Sequence, residues 1–192
     1  MDDIVSVLLS SIFNVFVQNP IIIIFLFIAF FTKHYFSRHA RFVRKSKQII
    51  KKLHSIESPG AKFQYLKKIN PFVFEEVILT SLKLKNIRIK RNRIYTGDGG
   101  IDGQFFFNGD KYYIQAKRYN NYIDLQHVKE FEHKCRRDGV KGIFVHTGKT
   151  GKKTKANVSN NSNVFIVSGQ KLLDLIDIEN DSFQELLLSH AN

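Results

Sequence analysis

The sequence predicts an α/β domain with a mixed central sheet, preceded by a transmembrane helix. Three observations lead there. Residues Ile4 to Thr32 hold no charged side chain over 29 positions. Beyond residue 60, helical and strand periodicities follow one another as α-β-β-β-α-β, then a loop or helix, then β and α. Between them lies "GDGGIDGQFFFNGDKYYIQAK", residues 97–117, two aromatic-rich runs joined by Asn-Gly.

The chain has 192 residues with 30 Lys+Arg against 17 Asp+Glu, a net charge of +13. That excess points to a polyanionic partner: nucleic acid, an anionic membrane surface, or both. Cys135 is the only cysteine, which excludes an intramolecular disulfide framework. Its apolar neighbours at helical spacing make it a small core residue rather than a nucleophile.

The charge-free stretch would extend about 43 Å as one helix, whereas a bilayer core needs only about 20 residues. Asn14, Gln18 and Asn19 dilute its first half, and Pro20 can bend it. The expected span is one helix over residues 10 to 32, within an anchor of residues 1–33. A cleaved leader is disfavoured: the N-terminus carries Asp2 and Asp3 without Lys or Arg, and no small-residue cleavage site follows. Lys33, Arg38, Arg41, Arg44, Lys45, Lys47, Lys51 and Lys52 follow the span, with no acid before Glu57. The positive-inside rule then places everything downstream in the cytoplasm. Residues 34–60 read as a basic juxtamembrane helix and linker. Phe42, Val43, Ile49, Ile50, Leu53 and Ile56 recur near helical spacing, suited either to lying on anionic lipid or to a solvated linker. "SPGAKF", Ser58 to Phe63, reads as a break, and the domain proper as residues 61–192.

Asn70-Pro71 opens a helix, with Asn as cap and Pro in the first turn, running to about Leu84. "NIRIKRNRIY" alternates as a strand. "IDGQFFF" and "DKYYIQAK" are strands joined at Asn108-Gly109, the strongest short hairpin signal. Asp124 caps a helix with Leu125, Val128, Phe131 and Cys135 on one face, ending at Gly139. "GIFVHT" and "NVFIVS" read as buried strands; "QKLLDLI" and "FQELLL" as helices.

A two-residue turn at Asn108-Gly109 sets the register. Phe107 then faces Asp110, Asp102 faces Gln115, and Gly100 faces Lys117. Opposed Cβ atoms lie about 5 Å apart, and diagonal neighbours are within reach of a long side chain. Asp102, Gln115 and Lys117 therefore converge. A carboxylate, an amide oxygen and the backbone carbonyl of Ala116 are hard oxygen donors of the kind Mg²⁺ prefers. A lysine beside them can orient or deprotonate water and stabilise charge on a phosphate. The surrounding glycines let a bulky backbone such as DNA approach.

"GDGGIDG", with twelve residues between its second Asp and "QAK", resembles the Mrr-type restriction endonuclease domain of the PD-(D/E)xK nuclease superfamily. The similarity spans roughly Phe72 to Ile176, taking in "FEE", the hairpin, "KGIFVHTG" and "VSGQKLLDLI". It implies a restriction-endonuclease-like core and Mg²⁺-dependent DNA cleavage. By this resemblance Asp102 is the metal-binding Asp and Lys117 the catalytic lysine. Gln115 stands where most of the superfamily has Asp or Glu, as is usual in the Mrr branch. Glu75 matches the helix glutamate that often adds a ligand, and Asp98 the first Asp of "DGGID". The chain departs at His146, where the family usually has Thr, and in "KTGKKTKA", which lacks an aromatic often found there.

Helical phase does not decide between Glu75 and the adjacent Glu76. Asp98 and Asp102 alone could be ordinary turn residues; Gln115 and Lys117 placed opposite argue otherwise. A calcium loop fails, because Gly109 sits where the closing Glu belongs. Lys149, Lys152, Lys153 and Lys155 read as phosphate contacts or a solvated loop, and Arg118 could extend that surface. His127, His133 and His146 lack metal-ligand spacing and read as structural or surface residues. The expected protein is a membrane-anchored, cytoplasm-facing DNA endonuclease with a role in restricting foreign DNA. Cutting both strands implies a homodimer. The alternatives are a membrane-bound nucleic-acid-binding protein without cleavage, and a structure-selective or RNA nuclease.

Overall fold

The structure, a computed structural model, describes residues 2–92, 100–158 and 163–191, without the side chains of residues 2, 3, 9, 12, 13, 15–17, 32–37, 153, 157 and 191. The chain divides into two compact units, Met1–Arg41 and Phe42–Asn192.

The first unit contains α1 (Asp2–Gln18) and the start of α2 (Pro20–His54). The single helix expected over residues 10 to 32 is thus two helices, broken at Asn19. Proline cannot donate to the helix ladder but suits a first turn, so Pro20 begins α2 instead of bending a continuous rod. Among the described residues no helix is long and apolar enough to cross a membrane. From Ile21 to Ile28 every side chain is exposed, as are Phe30 and Phe31.

The second unit starts at Phe42, not near residue 60. Phe42, Ile49, Ile50 and Leu53 of α2 are buried in the main core with α4 (Pro71–Leu84). The apolar stripe expected to face lipid or solvent is therefore spent inside the domain. Ser46 of α2 meets Thr80 of α4 through their hydroxyls at 2.8 Å. "SPGAKF" is likewise no break: Ser58 caps α3 (Pro59–Lys68), accepting from the Ala61 amide at 3.4 Å. Ser followed by Pro is a helix-start pattern, and the helix overrides the loop tendency of Pro-Gly. The Asn70 cap of α4 accepts from Phe72 at 3.0 Å.

The sheet has strand order β1-β2-β3-β4-β5, with β1 (Arg88–Arg91), β2 (Gly103–Phe107), β3 (Asp110–Lys117), β4 (Lys141–His146) and β5 (Val164–Val167). β1-β2 and β2-β3 are antiparallel; β3-β4 and β4-β5 are parallel. This is the expected mixed sheet. Asn108 (φ 50°) and Gly109 (φ 84°) both take the left-handed conformation that a tight turn matching strand twist requires. The register follows as expected, from Phe107 opposite Asp110 to Gly103 opposite Ile114.

Alternation along β3 divides its side chains between two layers. Tyr112, Ile114 and Ala116 join the core shared with α4, α7 (Gln170–Ile176) and α8 (Ser182–Ala191). Tyr113 faces α5 (Leu125–Arg137), whose Val128, Phe131 and Cys135 pack with Phe144 and Val164. Gln115 and Lys117 share the parity of Tyr113, at the end of β3. The basic loop contains a short α6 (Lys152–Asn157).

Candidate active site

The end of β3 opens into a cavity of 410 Å³. It is lined by Glu75, Gly100, Asp102, Gln115, Lys117, Arg118, Tyr119 and His127, with Pro71 and Ala116. The expected set of Glu75, Asp102, Gln115 and Lys117 is brought together here.

Asp102 sits one residue before β2, and its amide donates to the Ile114 carbonyl at 2.8 Å. That bond reaches the residue already paired with Gly103, so the ladder ends at Gly103–Ile114 and the expected pairing of Asp102 with Gln115 is not made. The carboxylate turns toward β3: Oδ2 accepts from the Ala116 amide at 2.6 Å. Asn92, just after β1, donates to the carbonyl of Ile101, just before Asp102. Asp98 lies outside the described residues.

Gln115 is buried, 7% exposed. Its Oε1 makes no hydrogen bond among the described residues. A buried acceptor without a donor is costly, and a cation would satisfy it. Gly100 makes room for the amide: a Cβ there would stand 2.5 Å from Gln115 Nε2, and its φ of +82° is strained for any other residue. Among the described residues no group of three or more His, Cys, Asp and Glu is placed to hold a metal. The donors in this cavity are two carboxylates and an amide oxygen, all hard, and they fit a hard divalent cation that keeps some of its waters.

The structure separates the two helix glutamates. Glu75 lines the cavity. Glu76 is buried and ion-paired, with Oε2 2.8 Å from Arg91 Nε. Arg91 also donates to Thr80 at 3.1 Å.

Of the expected DNA contacts, Arg118 is already engaged: Nη1 donates to the Lys67 carbonyl at 2.6 Å, and Lys67 Nζ returns a bond to the Asn120 carbonyl at 2.9 Å. It clamps the end of α3 to the segment after β3. Lys149 and Lys152 are exposed, and the Lys153 side chain lies outside the described residues.

Two further residues line the cavity. His127, expected to be structural or on the surface, faces the cavity from the first turn of α5, and Tyr119 lies beside it. The Tyr119 hydroxyl and His127 Nδ1 are 2.6 Å apart. Burial, aided by the charge of Asp124, pushes the Tyr119 phenol up to about 12. Tyr119 could have been found by extending the 115-117 alternation by one step. His127 needed the packing of α5 across the sheet, which no local pattern shows.

A family model described as restriction endonuclease, Mrr_cat, matches residues 66–176. Among curated proteins none matches. Two solved structures are similar. The DNA modification-dependent restriction endonuclease AspBHI is 19% identical, with a TM-score of 0.50 over 62% of this chain and 34% of that one. The MspJI restriction endonuclease, in complex with a 27-mer oligonucleotide, is 18% identical, with a TM-score of 0.49 over 65% of this chain and 34% of that one. The region matched is about a third of the length of either enzyme.

Proposed function

The chain belongs to the restriction endonuclease family whose model covers residues 66–176, and from that premise we propose that it is a Mg²⁺-dependent endonuclease hydrolysing DNA phosphodiester bonds. The observation that carries this reading is the buried, unpartnered Oε1 of Gln115, a residue that lines one cavity with Asp102, Glu75 and Lys117. Asp102, Gln115 and Glu75 would hold the cation. Bound Mg²⁺ would supply Lewis-acid polarisation of a phosphoryl oxygen.

The chain's own residues do the rest. The Ala116 amide fixes the Asp102 carboxylate toward β3. Lys117 orients water for attack on phosphorus and opposes the charge that grows on the phosphoryl oxygens. The net charge of +13 favours a polyanionic substrate, and exposed Lys149 and Lys152 supply phosphate contacts. One site cuts one strand at a time, so concerted scission of both strands would call for a homodimer.

Residues 1–33 would attach the enzyme to the membrane, with the second unit cytoplasmic. Support comes from the freedom of residues 4–32 from charge, the exposed Ile and Phe side chains from Ile21 to Phe31, and the basic residues that follow. Tethering confines cutting to DNA near the membrane, such as entering foreign DNA.

The test is cleavage of plain duplex, branched DNA and RNA by the full chain with Mg²⁺. Asp102→Ala and Lys117→Ala should each lower the rate by roughly a thousand-fold. Wild-type rates in both variants would remove the site. Binding without cleavage would leave a nucleic-acid-binding protein, and cutting confined to branched DNA or RNA would change the substrate. For the anchor, the chain should stay in the membrane fraction through alkaline carbonate extraction; release by carbonate would refute it.

A further inference from the structure

Tyr119 and His127 form a built pair within the same cavity. The backbone of Tyr119 is held on both sides by Thr147: its amide donates to Thr147 Oγ1 at 3.0 Å, and that hydroxyl donates to the Tyr119 carbonyl at 3.0 Å. Gly148 lets the two segments close, since a Cβ there would lie 2.4 Å from the Asn121 oxygen and 2.7 Å from Tyr119 Cβ. The phenol then reaches His127 Nδ1 at 2.6 Å. On the other side, Asp124 caps α5 by accepting from the Gln126 amide at 2.8 Å, fixing the turn that carries His127.

This contact assigns the protons. A phenol pushed up to about 12 keeps its proton at neutral pH. A phenol O–H is a better donor than an imidazole N–H, and an imidazole nitrogen a better acceptor than a phenol oxygen. The short bond therefore runs from Tyr119 to Nδ1, and the ring proton resides on Nε2. The remaining ring nitrogen of this cavity-lining residue is thus a hydrogen-bond donor.

Resting on the nuclease reading above, we infer that His127 is a substrate-contacting residue whose Nε2–H donates to a non-bridging oxygen of the DNA phosphate, with Tyr119 as the positioning residue that fixes its tautomer. A donor held in place before the substrate arrives is worth most as charge grows on the phosphoryl oxygens. Lys117 offers a mobile charge; His127 offers a fixed direction.

The experiment uses the full chain with duplex DNA. In His127→Ala, kcat with Mg²⁺ should fall about 100-fold, the effect of removing one preorganised donor, with KM and thermal melting little changed. His127→Gln, whose amide N–H can occupy the place of Nε2–H, should recover much of that loss. Imidazole nitrogen chemical shifts should show His127 protonated on Nε2 in the wild type. Tyr119→Phe should mix the tautomers and cost less activity than His127→Ala. Wild-type kcat in His127→Ala, while Asp102→Ala is inactive, would overturn the pair and leave the nuclease site standing. Equal damage in the Ala and Gln variants, or a ring protonated on Nδ1, would also overturn it. Full activity in Asp102→Ala would remove the assigned site, and the pair with it.

Discussion

Gly100 and Gln115 depend on each other. The φ of +82° at Gly100 and the 2.5 Å approach of its missing Cβ to Gln115 Nε2 both exclude a side chain. In Gly100→Ala, the backbone strain costs about 1 kcal/mol, and Gln115 must leave its seat. Divalent-metal affinity should then fall roughly 10- to 100-fold, as when the support of a ligand is lost. The same change made in a Gln115→Ala background should add little, because the two act through one contact. Calorimetric titration with Mg²⁺ or Mn²⁺ checks this; additive losses would show that Gly100 acts elsewhere. The hairpin register from Phe107–Asp110 to Gly103–Ile114 was legible because Asn-Gly dictates its own turn and the turn dictates the register. The choice between Glu75 and Glu76 was not legible. Adjacent helix positions differ by about 100°, and what decides between them is Arg91, which lies on another element and pairs with Glu76.

The elements from α4 to α8 follow their sequence patterns closely, because caps and alternation are local. Errors gather where burial is decided by distant partners. The stripe of Phe42, Ile49, Ile50 and Leu53 has the periodicity of a surface-seeking helix, yet α4 and its neighbours bury it. A basic amphipathic helix looks the same in sequence whichever apolar surface receives it. α5 illustrates the same dependence from the sheet side. Gly142 of β4 leaves no room for a Cβ, which would fall 2.6 Å from Cys135 Sγ and 2.9 Å from the Phe131 ring. That close seat buries Cys135, and burial pushes its thiol up to about 12, consistent with a packing role. It also sets how α5 crosses the sheet, and hence brings His127 to the cavity.

The fold as a whole carries a fully buried proton-binding group, His146. At the end of β4, it bonds Thr150 through Nε2 at 3.1 Å and lies edge-on to Tyr119. Burial holds it down at about 4, against an ordinary value of 6.5. The folded state therefore refuses a proton that the unfolded chain accepts. Its contribution is complete above pH 6.5, is lost as pH falls toward 4, and changes no further below that. The loss across this window is roughly 3 kcal/mol, a large share of the stability of an ordinary domain. His190, stacked on Phe165, is lowered by burial too and acts in the same direction. Asp138, held at about 2 chiefly by its hydrogen bond from Lys134, titrates below this window and does not confuse it. Urea unfolding of the full chain at about pH 7 and about pH 4.5 should show a clear drop in midpoint for the wild type. His146→Thr should be less stable at neutral pH, because it leaves a cavity, but should lose most of the pH dependence. A wild-type midpoint equal at both pH values would mean that His146 meets water or a proton acceptor in the folded state, and the burial argument would fail.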